Sequence, residues 1–143
     1  MNSSKELIYR CKIVNDLHKK YKNCIYVSIH VNAAGNGLSW SNATGWEAYT
    51  SIGKTQADVL ATYLYNSAKK NLSGKTIRTN MSDGDMDKES NFYVLKNTNC
   101  PAVLTENFFM DSKKDLEYLN SDLGFYQIVK THVDGIMNYI KDN

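Results

Sequence analysis

Tyr26-Val27-Ser28-Ile29-His30-Val31-Asn32-Ala33 is an apolar run that carries a histidine to its end, and the Asn- and Gly-containing stretch 32–37 then breaks it. A short apolar run closed by such residues reads as a buried strand followed by a loop. In open α/β sheets ligands bind outside the carboxyl ends of the strands, which is where this strand would present His30. Pro101-Ala102-Val103-Leu104-Thr105-Glu106-Asn107 repeats the pattern and ends in Glu106. Pro is tolerated at the first residue of a strand. A His and a Glu at one sheet edge point to hydrolysis, with a metal as the natural activator of water.

The rest of the chain supplies layers for such a sheet. A helix capped by Ser3 or Ser4 runs to about Lys20, with Leu7, Cys11, Val14 and His18 on one face. The expected first strand spans about Cys24 to Val31. Residues 32–44 form a loop that holds Trp40, and Gly45-Trp46-Glu47-Ala48-Tyr49-Thr50 alternates as a second strand. Glu47 on that strand is expected to face outward. Lys54 to about Leu72 is an amphipathic helix with Ala57, Leu60, Ala61, Leu64 and Ala68 in one stripe, ended by Ser73-Gly74. Residues 78–90 read as a polar surface loop. Asp83, Asp85 and Asp87 there start like a calcium loop, but Lys88 stands at the glycine position and Val94 at the final glutamate position. Phe92 to Leu95 is a short strand or helical turn. Asp111 or Ser112 caps a helix ending at Leu119, with Asp115 placed for a capping box. The last helix starts at Asp122, with Phe125, Val129, His132, Ile136 and Ile140 on its face. The expected fold is a single α/β domain, a small, largely parallel sheet flanked by helices.

Composition excludes more than it selects. The 143 residues carry a net charge of +2 and no Lys/Arg run, which argues against nucleic acid. No apolar run approaches the ~20 residues of a membrane span, and the polar start, Met1 to Lys5, lacks a signal-peptide core. Cys11, Cys24 and Cys100 form no metal motif. Two residue-level alternatives stay open beside a metal hydrolase. One is a glycosidase using Glu47 and Glu106 as paired carboxylates. The other is a Cys100/His hydrolase, which places Cys100 at the wrong end of its strand.

The local sequences go further. Leu7-x2-Arg10-x4-Asn15, Ser28-Ile29-His30-Val31-Asn32-Ala33, Gly45-Trp46-Glu47-Ala48-Tyr49, Val94-Leu95-Lys96-Asn97-Thr98 and Pro101 to Phe109 follow one another in an order that resembles the type 3 zinc-dependent N-acetylmuramoyl-L-alanine amidases. The resemblance covers nearly the whole chain. It implies hydrolysis of the amide between N-acetylmuramic acid and L-alanine in peptidoglycan, at the bacterial cell wall. It implies zinc, with His30 as a ligand and Glu106 as the catalytic carboxylate; Asn32, Trp40 and Asn107 are the candidate substrate-binding residues. The family pattern also has an early strand ending in Gly-His-Gly and a Glu in the following helix, the other two zinc ligands. Neither lies in these 143 residues. The expectation is therefore an amidase catalytic domain over 1–143 without its amino-terminal strand and helix, which holds zinc weakly by itself. A wall-binding or inactive remnant is the alternative. With no signal peptide read in the chain, the expected location before release is the cytoplasm, or the chain belongs to a longer precursor.

Overall fold

The computed structural model describes residues 3–143. Helix α1 (Ser3–Tyr21) leads into strand β1 (Tyr26–Asn32). Strand β2 (Trp46–Thr50) follows the long loop, and helix α2 (Gln56–Asn71) follows β2. A two-residue strand β3 (Lys88–Glu89) and a helical turn α3 (Tyr93–Lys96) precede strand β4 (Ala102–Phe109). Helices α4 (Lys113–Leu119) and α5 (Asp122–Asp142) complete the fold. The sheet order is β1-β4-β2-β3. β4 runs parallel to β1 and antiparallel to β2, and β2 runs parallel to β3. The sheet is therefore mixed, with β4 and β2 in its interior.

Alternation sorts the strand residues between two faces. Trp46, Ala48 and Val103 join Leu60, Leu64 and Tyr65 of α2 in the larger core. Ala102 and Leu104 meet Cys11 of α1 and Val94 and Leu95 of α3 on the other face, with Tyr26 and Tyr49 beside them. Helix α2 begins at a full capping box: the Thr55 hydroxyl accepts from the chain, and Asp58 reaches back to the Thr55 amide. Helices α2 and α5 cross closely because Gly135 has no side chain. A Cβ there would lie 2.9 Å from Leu64 Cδ2 and 3.1 Å from its Cα.

Several expectations change on contact with the tertiary structure. Ser112 stands at the N-cap of α4 without a side-chain cap bond. Asp115 instead binds Thr44 Oγ1 and the Phe109 amide, so it ties the long loop to β4 rather than closing a capping box. Asp111 takes the amides of Ala34 and Gly35 and fixes the start of the same loop. The buried face of α5 is also rotated from the expected one. His132 and Thr131 are buried along with Gly124, Gly135 and Tyr139, while Phe125 is 68% exposed and Ile140 56%. Small residues at 124 and 135 let the backbone approach, and this decides the face more than the larger apolar side chains do.

The acidic stretch is not wholly a surface loop. Asp87 is buried and accepts a hydrogen bond from Thr50 Oγ1, while its Oδ1 has no partner among the described residues. Burial, with Asp85 adding to it against the Thr50 bond, pushes this carboxyl up to about 7. An aspartate in the unfolded chain titrates near 3.9. The folded state therefore binds the proton more tightly, and the stability this gives at low pH is lost as pH rises through about 7. Asp87→Asn is expected to stabilise the protein more at pH 8 than at pH 5. Urea unfolding at the two pH values checks this; an equal effect at both would show that the carboxyl is ionised throughout.

Candidate active site

His30, Glu106 and Glu47 form one row across the sheet. Glu106 is the ladder partner of His30 on one side and of Glu47 on the other. The three positions share the face that carries α1 and α3, since Ser28, next but one to His30, has its Oγ 2.9 Å from His30 Nε2. Sequence reasoning placed His30 and Glu106 at one edge because each closes an apolar run. Their lateral adjacency comes from the parallel β1–β4 register.

A bulge ends this row. His30 pairs with Glu106, but Asn32 pairs with Phe109, so β4 carries one extra residue there. Phe108 accommodates it with φ of 64°, an uncommon conformation for a side chain of this size. The bulge turns Phe108 into the core against Tyr118, with ring centroids 5.0 Å apart. It stands two residues beyond Glu106, and bulges beside active sites commonly re-aim a side chain.

Glu47 corrects the expectation of an outward-facing glutamate: it is 1% exposed. Its Oε1 accepts from Asn32 Nδ2 and Tyr49 Oη, each at 2.9 Å. Its Oε2 accepts from Arg78 Nε at 2.7 Å and from Lys88 Nζ. Burial pushes the Glu47 pKa up, but the Lys88 and Tyr49 hydrogen bonds and the charges of Lys88 and Arg78 outweigh it, so the net shift is downward. Glu47 is an ionised anchor. Arg78 and Lys88 lie in the stretch read only as a polar loop, and nothing in their spacing signals a partnership with residue 47.

Glu106 has the opposite environment. It is half-buried, and its Oε2 is enclosed with no hydrogen-bond partner among the described residues. Burial, and then the neighbouring Glu47 charge, push its pKa up to about 7. A carboxyl tuned to neutrality can both take and return a proton. Two carboxylates side by side, one held ionised and the other poised near 7, is the pattern that separates acid–base roles. His30 is held below its ordinary pKa by partial burial and then by the Arg10 charge. At neutral pH its imidazole is uncharged and has a lone pair to give.

The other candidates are spread out. Asn32 reaches over β4 to Glu47, so its amide is engaged in the site's frame. Asn107 is 2% exposed and takes Trp46 Nε1 on its Oδ1 while donating to the His30 carbonyl and to Thr105 Oγ1. Those bonds tie β1 and β2 to β4, so Asn107 is part of the frame of the sheet. Trp40 is 57% exposed beside Lys113, whose Nζ lies 5.5 Å from the ring centroid, and it lines a cavity with Leu38, Met110 and Asp111. A separate apolar cavity of about 530 Å³ lies between the Ile29–Val31 edge of β1 and α5.

Zinc sets a stricter geometric test. Catalytic zinc normally has three protein ligands. Among the described residues no three His, Cys, Asp or Glu side chains are grouped to hold an ion. His30 with Glu106 is an incomplete set, and a Glu106 bound to metal could not act as a base. The described residues by themselves do not fit a full zinc site.

The model of the N-acetylmuramoyl-L-alanine amidase family matches residues 2–138. The chain belongs to this family. It is 32% identical over 133 residues to the endolysin of Bacillus phage SPP1, covering 92% of this chain and 44% of that protein. It is 31% identical over 116 residues to the amidase CwlM of Bacillus licheniformis, covering 78% of this chain and 38% of that protein. The chain thus spans less than half the length of these relatives. Its fold matches the N-acetylmuramoyl-L-alanine amidase of Clostridium difficile 630 with a TM-score of 0.75 at 24% identity, covering 94% of this chain and 65% of that one. The catalytic domain of CwlV from Bacillus (Paenibacillus) polymyxa var. colistinus gives 0.74 at the same identity and coverage. No described helix of this amidase-family chain is long and apolar enough to cross a membrane.

Proposed function

We propose that this chain carries the Glu106 half of a peptidoglycan amidase centre, cleaving the amide between N-acetylmuramic acid and L-alanine. The observation that carries the reading is the row His30–Glu106–Glu47, in which a half-buried carboxyl with an unpartnered oxygen stands beside one held by Arg78 and Lys88. In this reading Glu106 takes a proton from the attacking water and returns it to the leaving L-alanine amine. The buried, unpartnered Oε2 supports it, because such an atom has unused accepting capacity where a proton donor would sit. Glu47 keeps its charge through Arg78 and Lys88 and so keeps Glu106 from ionising early.

Zinc belongs to the proposal as the family's cofactor. It would polarise the scissile carbonyl and activate water. His30 is the described residue suited to bind it, and its remaining ligands would come from outside the described set. Peptidoglycan is the proposed substrate and the bacterial wall the proposed place of action. The test is digestion of purified peptidoglycan with and without added zinc, followed by labelling of new amino groups. Release of amino-terminal L-alanine that depends on zinc supports the reading. New reducing sugar ends in place of amino ends would instead favour the paired-carboxylate glycosidase.

A further inference from the structure

Arg78 is held in place more firmly than a loop arginine needs to be. The backbone of the 76–78 segment is fixed to β2: the Trp46 amide donates to the Thr76 carbonyl at 2.9 Å, and the Arg78 amide donates to the Trp46 carbonyl at 2.8 Å. The stem lies over Gly45, where an added Cβ would come within 3.0 Å of Arg78 Cγ and 3.1 Å of Cδ. The guanidinium sits 5.2 Å from the centroid of the Phe109 ring. Only Nε is engaged by Glu47. The two terminal nitrogens have no partner among the described residues, and 38% of the side chain is exposed.

Glu47 carries one negative charge and faces both Arg78 and Lys88. All of its accepting positions are in use, by Asn32, Tyr49, Arg78 and Lys88. A fixed, partly exposed guanidinium with both terminal nitrogens unengaged is a receptor for an anion. It stands beside Glu47, which is the ladder partner of Glu106.

We propose that Arg78, supported by Lys88, binds a carboxylate of the substrate's peptide through its free terminal nitrogens and so selects acidic stem peptides over amidated ones. This rests on the amidase reading, in which a peptide leaves from Glu106. A planar guanidinium edge matches a carboxylate in two parallel hydrogen bonds, which a lysine cannot reproduce. Arg78 thus serves as a specificity residue that touches the peptide away from the scissile bond.

The test titrates the ¹⁵N-labelled protein with L-alanyl-D-glutamic acid, with its diamide and with inorganic phosphate, reading NMR shifts. The acid is expected to bind roughly 10-fold more tightly than the diamide. It should move the Arg78 side-chain nitrogen signals, which the diamide should leave in place. Arg78→Gln should remove the preference and Arg78→Lys should recover only part of it, with circular dichroism confirming that each is folded. The Arg78 signals in the unaltered protein serve as the readout if a variant does not fold. Equal affinity for acid and diamide, or phosphate binding as tightly as the acid at Arg78, overturns the carboxylate subsite. If the digest still releases L-alanine, that failure leaves the amidase reading standing. No saturable shift with either peptide, together with no release in the digest, overturns both.

Discussion

In a parent that also supplies the remaining zinc ligands, Glu106→Gln is expected to lower the release of L-alanine amino groups from peptidoglycan by about 10²–10⁴-fold, the usual size of a lost general base. Gln keeps the shape and one carbonyl oxygen but cannot take a proton. Zinc uptake should stay as it was, because in this reading Glu106 is not a ligand. Stability should not fall either. Burial and the Glu47 charge raise the Glu106 pKa to about 7, so above that pH the folded protein carries two neighbouring negative charges. A neutral Gln relieves that repulsion, and the variant is expected to be at least as stable as the parent at pH 8. Assay and urea unfolding of one preparation separate the two effects. Near-parental turnover in a folded variant would remove Glu106 from the chemistry.

The largest expected loss of stability comes from Glu47→Gln, about 3 kcal/mol. Removing one partner of a buried ion pair costs roughly 3–5 kcal/mol because it strands the other. Here the low end applies, since the Arg78 and Lys88 side chains are 38% and 22% exposed and water meets part of the cost. Gln retains an acceptor for Asn32 and Tyr49 but turns its NH2 toward Arg78 and Lys88, so the loss reports the charge together with the two hydrogen bonds made to Oε2. Adding Lys88→Met should restore part of the stability, as expected when an unpaired buried cation is the cause. Urea unfolding of the single and double variants measures this. The site should respond as well. Without the Glu47 charge, the Glu106 pKa should fall toward its ordinary value, so the acid limb of a pH–activity profile should move to lower pH. A profile that keeps its position would mean that burial alone sets Glu106.

The two cores were legible in the sequence to different degrees. The α2 stripe of Ala57, Leu60, Ala61, Leu64 and Ala68 is buried as its 3.6-residue period predicts. The α5 stripe misled, because Phe125, Val129 and Ile140 have the right period and yet lie partly or largely exposed. Periodicity states that a face exists. Which of two overlapping faces is buried depends on how closely a neighbour can approach, and Gly135 against Leu64 settles that here.

Local signals establish that residues 26–32 and 102–109 are strands, because apolar runs closed by polar or turn-forming residues are legible without partners, though each strand runs on past its titratable residue, to Asn32 beyond His30 and to Phe109 beyond Glu106. The family is legible in the same way, because it depends on the order of motifs along the chain. The row of His30, Glu106 and Glu47 comes from the fold, since register is a property of pairing between distant segments. The fold alone turned Glu47 inward, because β2 lies in the sheet interior and Arg78 and Lys88, 31 and 41 residues away along the chain, come to it as partners. The fold also tied Asn107 into the frame of the sheet, through hydrogen bonds with the Trp46 indole, the His30 carbonyl and Thr105 Oγ1. Charges and hydrogen bonds of this kind join residues that no local pattern links, so the chemistry of the site is a property of the fold.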